Sequence, residues 1–242
     1  MMYLNERIDD LQRGGLRVIQ RADAFRFGTD AVLLADFAAP RRHDRVCDLG
    51  TGTGIIPLLL YARENTISAD AVEIQPDMAD MAARSMALNG LNEKIRVLPG
   101  DLRSIRTLLP HARYDLVTCN PPYGKAGGTL LNPDASKRLA RHEESCAIED
   151  VACAAAWLLQ NGGRLCCVFP AARMIELSDA MRKYRMAPKR IRMVHSRVEK
   201  AAHLCLMEGM LDARPGLIIE SPLVIYDENN AYTPELRRIY GL

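Results

Sequence analysis

The sequence predicts an α/β protein built on a doubly wound, mostly parallel sheet, with an antiparallel closing edge and a short N-terminal extension. Three observations carry that prediction. Short apolar runs bounded by turn residues alternate with helical stretches over residues 45–169. The first of those runs ends in a glycine-rich turn, a feature of ligand-binding α/β sheets. Residues 188–226 then hold apolar β-like stretches with no long helix between them, the mark of antiparallel strands.

Taken in order, Leu16–Gln20 reads as a strand and Asp30–Ala39 as a helix behind a Gly-Thr-Asp start. Residues 1–40 form an extension before the core, and residues 41–242 the core itself, in one domain. Arg45–Leu49 is the first core strand, and Ile55–Arg63 the helix behind its turn. Ala69–Ile74 is a second strand, followed by an alanine- and methionine-rich helix over Met78–Asn89 that Gly90 closes. Ile95–Leu98 and Tyr114–Cys119 are the third and fourth strands. A helix over Ala147–Gln160 ends at Asn161-Gly162-Gly163, and Arg164–Phe169 is the fifth strand. The closing stretches are 190–195, 203–211, 217–219 and 223–226.

Composition sets modest bounds. The chain has 242 residues, 48% hydrophobic and 26% charged, ordinary values for a soluble globular protein. A net charge of +2 does not announce a polyanionic partner, so local patches must carry that case. The seven cysteines include no C-x-x-C pair, and several lie in apolar runs, which points to reduced thiols in a cytoplasmic protein. The start is charged without an apolar signal core. The longest apolar run, Ile55–Ala62, is far too short to span a bilayer. No membrane association or metal is expected, and a monomer is.

The most informative residues are Asn120-Pro121-Pro122-Tyr123, at the carboxyl end of the fourth strand. Ligands of open α/β sheets bind at such ends. Asn120 offers a side-chain carbonyl, Pro121 a carbonyl without a competing N–H, and Tyr123 a flat ring. Together they suit an amino group on a planar ring, or an amide. The first turn, Asp48-Leu49-Gly50-Thr51-Gly52-Thr53-Gly54, lets backbone approach a ligand closely. Its G-x-G-x-G spacing differs from the dinucleotide fingerprint and suits an adenosyl ligand without phosphates. Glu73, with Ile74 beside it, ends the second strand, where an acid can accept both ribose hydroxyls. Asp101, followed by Leu102, ends the third, where it can take an adenine amino hydrogen.

Asp48, Glu73, Asp101 and Asn120, each at a strand end, resemble the class I S-adenosylmethionine-dependent methyltransferases. The motif Asn120-Pro121-Pro122-Tyr123 resembles their amino-methyltransferase branch, which acts on adenine or cytosine amines and on glutamine amides. Asp9–Leu16 and Phe25–Leu34, then Ala140–Glu143, Pro222–Tyr226 and Tyr232–Leu236, are similar to segments of the bacterial tRNA(Val) adenine-N6 methyltransferases. The similarity covers essentially the whole chain. It implies a Rossmann-like, seven-stranded fold, S-adenosylmethionine as cofactor, and an adenosine just 3′ of the anticodon as target. It also implies that Phe27 and Thr29 close over the cofactor's methionine end, so the extension caps the cofactor. Thr53 stands where Asn is expected, without disturbing the glycine spacing.

On this reading Asn120, Pro121 and Tyr123 carry the chemistry. Phe27, Thr29, Asp48, Gly50, Thr51, Gly52, Glu73, Ile74, Asp101, Leu102 and Asn120 hold the cofactor. The loop Gly124–Gly128 is a candidate lid, and the role of Arg141 and His142 stays open. Arg182, Lys183, Arg185, Lys189, Arg190, Arg192, Arg197 and Lys200 are eight basic residues within nineteen, with Glu199 the one acid among them. That run, with Arg182, Lys183, Lys189, Arg190 and Arg192 foremost, is expected to track tRNA phosphates, and Arg13, Arg17, Arg21 and Arg26 could extend it. The nearest rival is a glutamine N5-methyltransferase acting on a release factor, which the geometry of the Asn-Pro-Pro-Tyr motif alone cannot separate. A NAD-dependent oxidoreductase fails on the glycine spacing.

Overall fold

The computed structural model describes residues 3, 5–21, 28–121 and 147–242. Strands β1 (Glu6–Asp10) and β2 (Arg17–Arg21) form an antiparallel hairpin, followed by α1 (Thr29–Ala38). The core runs β3 (Arg45–Leu49), α2 (Ile55–Arg63), β4 (Ser68–Glu73), α3 (Pro76–Leu88), β5 (Ile95–Pro99), α4 (Ile105–Leu108) and β6 (Tyr114–Cys119). It continues through α5 (Ile148–Leu158), β7 (Leu159–Pro170), α6 (Met174–Lys183), β8 (Met186–His195) and β9 (Ala202–Leu211). Two short strands, β10 (Ile218–Ile219) and β11 (Leu223–Val224), precede α7 (Pro234–Tyr240).

Seven long strands lie in the order β5-β4-β3-β6-β7-β9-β8, and β9 alone among them is antiparallel to its neighbours. The order reverses between β3 and β6, so their carboxyl ends open a crevice there. Alternating side chains feed two cores. Val46, Leu116, Cys166 and Val168 face α1 and α2, whereas Cys47, Val117, Cys167 and Phe169 face α5 and α6. The sheet is therefore covered on both faces, as apolar parallel strands require.

The closing edge differs in one respect from expectation. β8 and β9 are antiparallel, but β10 and β11 run parallel to β8. The chain leaves β9 at the level where β8 starts, so a segment returning along the outer edge must run with β8. A second difference concerns Gly162 and Gly163. They do not end a helix: α5 stops at Leu158 and β7 begins at Leu159. The pair sits where the β6–β7 register shifts. Gly162 has φ +77°, and a Cβ on Gly163 would lie 3.0 Å from Tyr114 O, so the glycines make a bulge.

The hairpin is docked by side chains of α3. Asn89 accepts from the Arg17 N–H and donates to its carbonyl, and Ser85 Oγ accepts from the Ile19 N–H. These contacts cover the open edge of β2. Arg84 donates to both carboxylate oxygens of Glu6 at 2.7 and 2.6 Å, fixing the other strand.

At the amino ends of the strands, Arg164 on β7 is buried. It donates to the Ala38 carbonyl at 3.0 Å and to Glu208 at 3.2 Å, and it lies 3.4 Å from Asp44. Glu208 faces Cys166 and Arg190 across β9's two neighbours. Arg190 in turn donates to the Phe37 carbonyl at 2.8 Å and stacks on the Phe37 ring. One buried carboxylate thus ties the end of α1 to three strands. Glu208→Ala should destabilise the protein by about 3–5 kcal/mol, because Arg164 would be left buried beside too little negative charge. Urea unfolding measures this, and an unchanged midpoint would contradict it.

Candidate active site

Asp48 is the fourth residue of β3 and is completely buried. Its parallel partner in register is Thr118 on β6, and both interrupt the apolar face turned towards α1 and α2. Thr118 Oγ1 donates to Asp48 Oδ1 at 2.6 Å. Asp48 Oδ2 and the Thr51 hydroxyl are buried without a hydrogen-bond partner among the described residues. Burial pushes the Asp48 carboxyl up from 3.8 to about 7, and the nearby Glu73 charge adds to that shift. The Thr51 hydroxyl faces the Asp48 carboxyl and, with Thr118, opposes the upward shift, so both groups turn towards one buried polar spot that a ligand donor can share.

The turn after Asp48 is shaped by three glycines, each with a positive φ, that do different work. A Cβ on Gly50 would meet nothing within 4 Å, so that glycine serves the backbone turn and leaves open space above it. A Cβ on Gly54 would lie 2.5 Å from Met86 Cε and 3.2 Å from Ala82 Cβ, so that glycine lets α2 pack on α3. The Gly50 and Thr51 N–H groups donate to the Val72 carbonyl, which fastens the turn to β4.

Glu73 ends β4 and is buried. Its two oxygens accept from the Gly52 and Gln75 N–H groups, both at 2.8 Å. Each oxygen keeps one further lone-pair site, the arrangement needed to take a vicinal diol. Ile74 follows with 44% exposure, an apolar surface beside that carboxylate. Asp101 lies just past β5 and caps the turn Leu102–Ser104 through the Arg103 N–H. The Arg103 guanidinium also grips both Asp101 oxygens at 2.5–3.0 Å and holds the carboxyl below its usual range. A ligand amino group must therefore share Asp101 with Arg103. Leu102 is half-buried against the α5 side of the core.

Leu49 pairs with Cys119, so Gly50 and Asn120 leave adjacent strands at the same level. Asn120 is half-buried and Pro121 is buried. Thr29 opens α1, and its hydroxyl accepts from Tyr240 at 3.1 Å. Phe27, Tyr123, Gly124–Gly128, Arg26, Arg141 and His142 lie outside the described residues. Thr118 and Arg103 were not singled out from the sequence. A threonine one strand across from Asp48, in an otherwise apolar run, is the signal that could have found the first.

The basic run behaves differently from expectation. β8 runs parallel to β7, and α6 descends to Arg182 and Lys183 at the amino end of the sheet, whereas the paired registers put Arg190 level with Asp48 and Arg192 level with Asn120, several strands away. Arg190 is ion-paired with Glu220 at 3.3 Å, and Arg192 donates to both Glu235 oxygens at 2.8 Å. Lys183 pairs with Glu149 at 2.6 Å, and Lys189 donates to the Arg214 carbonyl. Groups distant in sequence engage Lys183, Lys189, Arg190 and Arg192, and Arg182 and Lys183 lie at the end of the sheet away from the crevice.

Among the described residues no helix is long and apolar enough to cross a membrane. Nor do those residues contain a group of three or more His, Cys, Asp or Glu able to hold a metal ion.

Asp48→Asn tests the electrostatics of the crevice. The folded carboxyl titrates near 7 and the unfolded one near 3.8, so its contribution to stability is full below about pH 4 and lost as pH rises through 7. The cost above pH 7 is of order 4 kcal/mol. An amide at position 48 can still accept from Thr118, so the substitution removes the charge and keeps that hydrogen bond. The ligand-free variant should therefore melt higher than wild type at pH 8 and no higher at pH 4. A lower melting temperature at pH 8 would contradict the assignment.

The profile of the methyltransferase small domain family matches residues 22–190. A Porphyromonas gingivalis protein named tRNA1(Val) (adenine(37)-N6)-methyltransferase is 33% identical over 232 residues, covering 91% of this chain and 89% of its own. A Tolumonas auensis protein of the same name is 34% identical over 216 residues, covering 88% and 86%. The crystal structure of an Agrobacterium tumefaciens protein described as a predicted O-methyltransferase superposes with a TM-score of 0.73 at 25% identity, covering 88% of this chain and 96% of that one. The strand order, the glycine turn after Asp48 and these matches agree: the chain belongs to the methyltransferase small domain family, and within it to the tRNA1(Val) (adenine(37)-N6)-methyltransferases.

Proposed function

We propose that this protein transfers a methyl group from S-adenosylmethionine to the N6 amine of an adenosine in tRNA, at position 37 of a valine tRNA as its relatives' names state. The observation that carries the proposal is the level match of Gly50 and Asn120 on neighbouring strands. At a strand spacing of about 4.8 Å, a group held over the glycine turn lies beside a group held by Asn120 and Pro121.

The residues present fit the cofactor. Asp48 Oδ2 and Thr51 Oγ1, both buried and unpaired among the described residues, suit the donors of an ammonium group. The open space over Gly50 admits the ligand's chain, with Gly52 behind it. Glu73 takes the ribose hydroxyls, Ile74 and Leu102 flank the adenine, and Asp101 accepts from its amino group. Thr29 and Phe27 close the methionine end. When bound, S-adenosylmethionine supplies an electrophilic methyl on a sulfonium.

The target amine is a poor nucleophile because its lone pair is delocalised into the ring. Asn120 Oδ1 and the Pro121 carbonyl accept its two hydrogens, which lets the nitrogen pyramidalise and stabilises the positive charge it develops. One such preorganised contact contributes about 3 kcal/mol. No strong base is required, since the proton is acidic after transfer and passes to solvent. Tyr123 stacks on the adenine, which has left the anticodon stack to reach the pocket.

Contact of the tRNA with Arg182 and Lys183 would require it to reach the amino end of the sheet, and Lys189 already donates to the Arg214 carbonyl. Arg190 and Arg192 serve the fold through their internal pairs. Five of the described cysteines are buried in the two cores, where Cys acts as a small hydrophobe, which accords with a reducing, cytoplasmic setting. Asn120→Ala should lower kcat at least 100-fold while leaving the cofactor Kd within a few-fold, as loss of one preorganised acceptor does. Single-turnover kinetics with isothermal titration of the cofactor measures both. A kcat within threefold of wild type would overturn the role given to Asn120.

A further inference from the structure

The segments Pro222–Tyr226 and Tyr232–Leu236 are not used by the chemistry above, yet they build a distinct feature on the rim that carries the active site. β11 follows β8 in parallel up to Val224–His195, so Tyr226 emerges at the carboxyl end of the sheet. Its ring stacks on Tyr232 at 5.5 Å and 27°, and Tyr232 stacks on Tyr240 at 5.6 Å and 13°. Tyr240 then donates to Thr29 at the start of α1. Tyr232 and Tyr240 pack against the core, whereas Tyr226 is 37% exposed. A ladder of three rings therefore runs along the rim from Thr29 and ends in solvent.

The β8–β9 turn stands beside that exposed ring. The Tyr226 N–H donates to the Ser196 carbonyl. Arg197 donates to the Asp227 carbonyl and to Asn230 Oδ1, both neutral acceptors, so these contacts leave its charge uncompensated. Lys200 is exposed, and Val198 between them is 79% exposed. Arg190 and Arg192, earlier on β8, are instead paired with carboxylates. Exposed aromatic surface beside Arg197 and Lys200, which have no carboxylate partner among the described residues, is the chemistry that receives unstacked bases and their phosphates.

We propose that Tyr226, backed by Tyr232 and Tyr240, stacks a nucleobase of the substrate RNA near the target adenosine, while Arg197 and Lys200 meet the adjoining phosphates. This rests on the tRNA reading given above. β11 is four strand spacings from β6, roughly 19 Å, within reach of the next few nucleotides of an opened loop. A contact dominated by stacking also accounts for a tRNA enzyme whose net charge is only +2.

The test compares wild type, Tyr226→Leu and Tyr226→Trp for methyl transfer to an unmodified valine tRNA transcript, with cofactor affinity and melting temperature measured alongside. Tyr226→Leu should raise the KM for tRNA about tenfold or more, the scale of one lost base–aromatic stack, with kcat and cofactor Kd unchanged. Tyr226→Trp should restore the KM. Lys200→Glu should raise it further at low salt than at high salt. An unchanged KM in Tyr226→Leu overturns the inference alone. So does a loss of melting temperature and cofactor binding that accounts for the defect and that Trp does not repair. Absence of tRNA methylation by the wild type would overturn the tRNA reading and this inference together.

Discussion

Thr118 can donate to only one oxygen of Asp48, and the other oxygen is shut away from water. That half-satisfied carboxylate is the constraint on which the rest of the crevice depends. It sits there because β3 and β6 are neighbours at the point where strand order reverses, so no other strand covers their carboxyl ends. Desolvation opposes its charge, a penalty that a cation held beside it would relieve. Glu73 is the contrasting case: two backbone N–H groups already hold its charge in place, and its remaining lone pairs are free for neutral hydroxyls.

The two ends of the sheet divide the labour. At the amino ends, arginines meet internal carboxylates and carbonyls, and the result is a rigid platform: Arg164 and Arg190 join α1 to β7, β8 and β9 through Glu208. At the carboxyl ends, the polar groups are Asp48, Glu73, Asp101 and Asn120 in the crevice, with Tyr226, Arg197 and Lys200 further along the rim. α1 links the two. Its last carbonyls are held by the arginines below, while its first residue, Thr29, meets Tyr240 above.

Much of this was legible in the sequence because the signals are local. Each strand from β3 to β6 is a short apolar run closed by turn residues, so the positions of Asp48, Glu73, Asp101 and Asn120 at strand ends follow from punctuation alone. What escaped is what depends on distant partners. The fates of Arg190 and Arg192 are set by Phe37, Glu208, Glu220 and Glu235, which a local charge count does not see. The parallel direction of β10 and β11 follows from where β9 ends, not from their own residues. Strand β1 and helix α7 are too polar or too short to announce themselves by periodicity, whereas α6 buries Leu177, Ala180 and Met181 at helical spacing, a signal that was legible and missed. Asn161-Gly162-Gly163 reads equally well as a helix stop or a strand bulge, and only the pairing with Tyr114 decides. The grip of Arg103 on Asp101 is two residues long, yet nothing in the sequence separates it from a solvated arginine.

The central claim is the identity of the acceptor atom, since an Asn-Pro-Pro-Tyr motif can hold a ring amine or a glutamine amide alike. The most direct measurement supplies methyl-labelled S-adenosylmethionine to the protein with total bacterial tRNA and, in parallel, with a release factor. Digestion of the RNA to nucleosides then identifies the labelled product. Label in N6-methyladenosine, with the release factor unlabelled, is the predicted result. Label on a glutamine of the release factor, with unlabelled tRNA, would contradict the account.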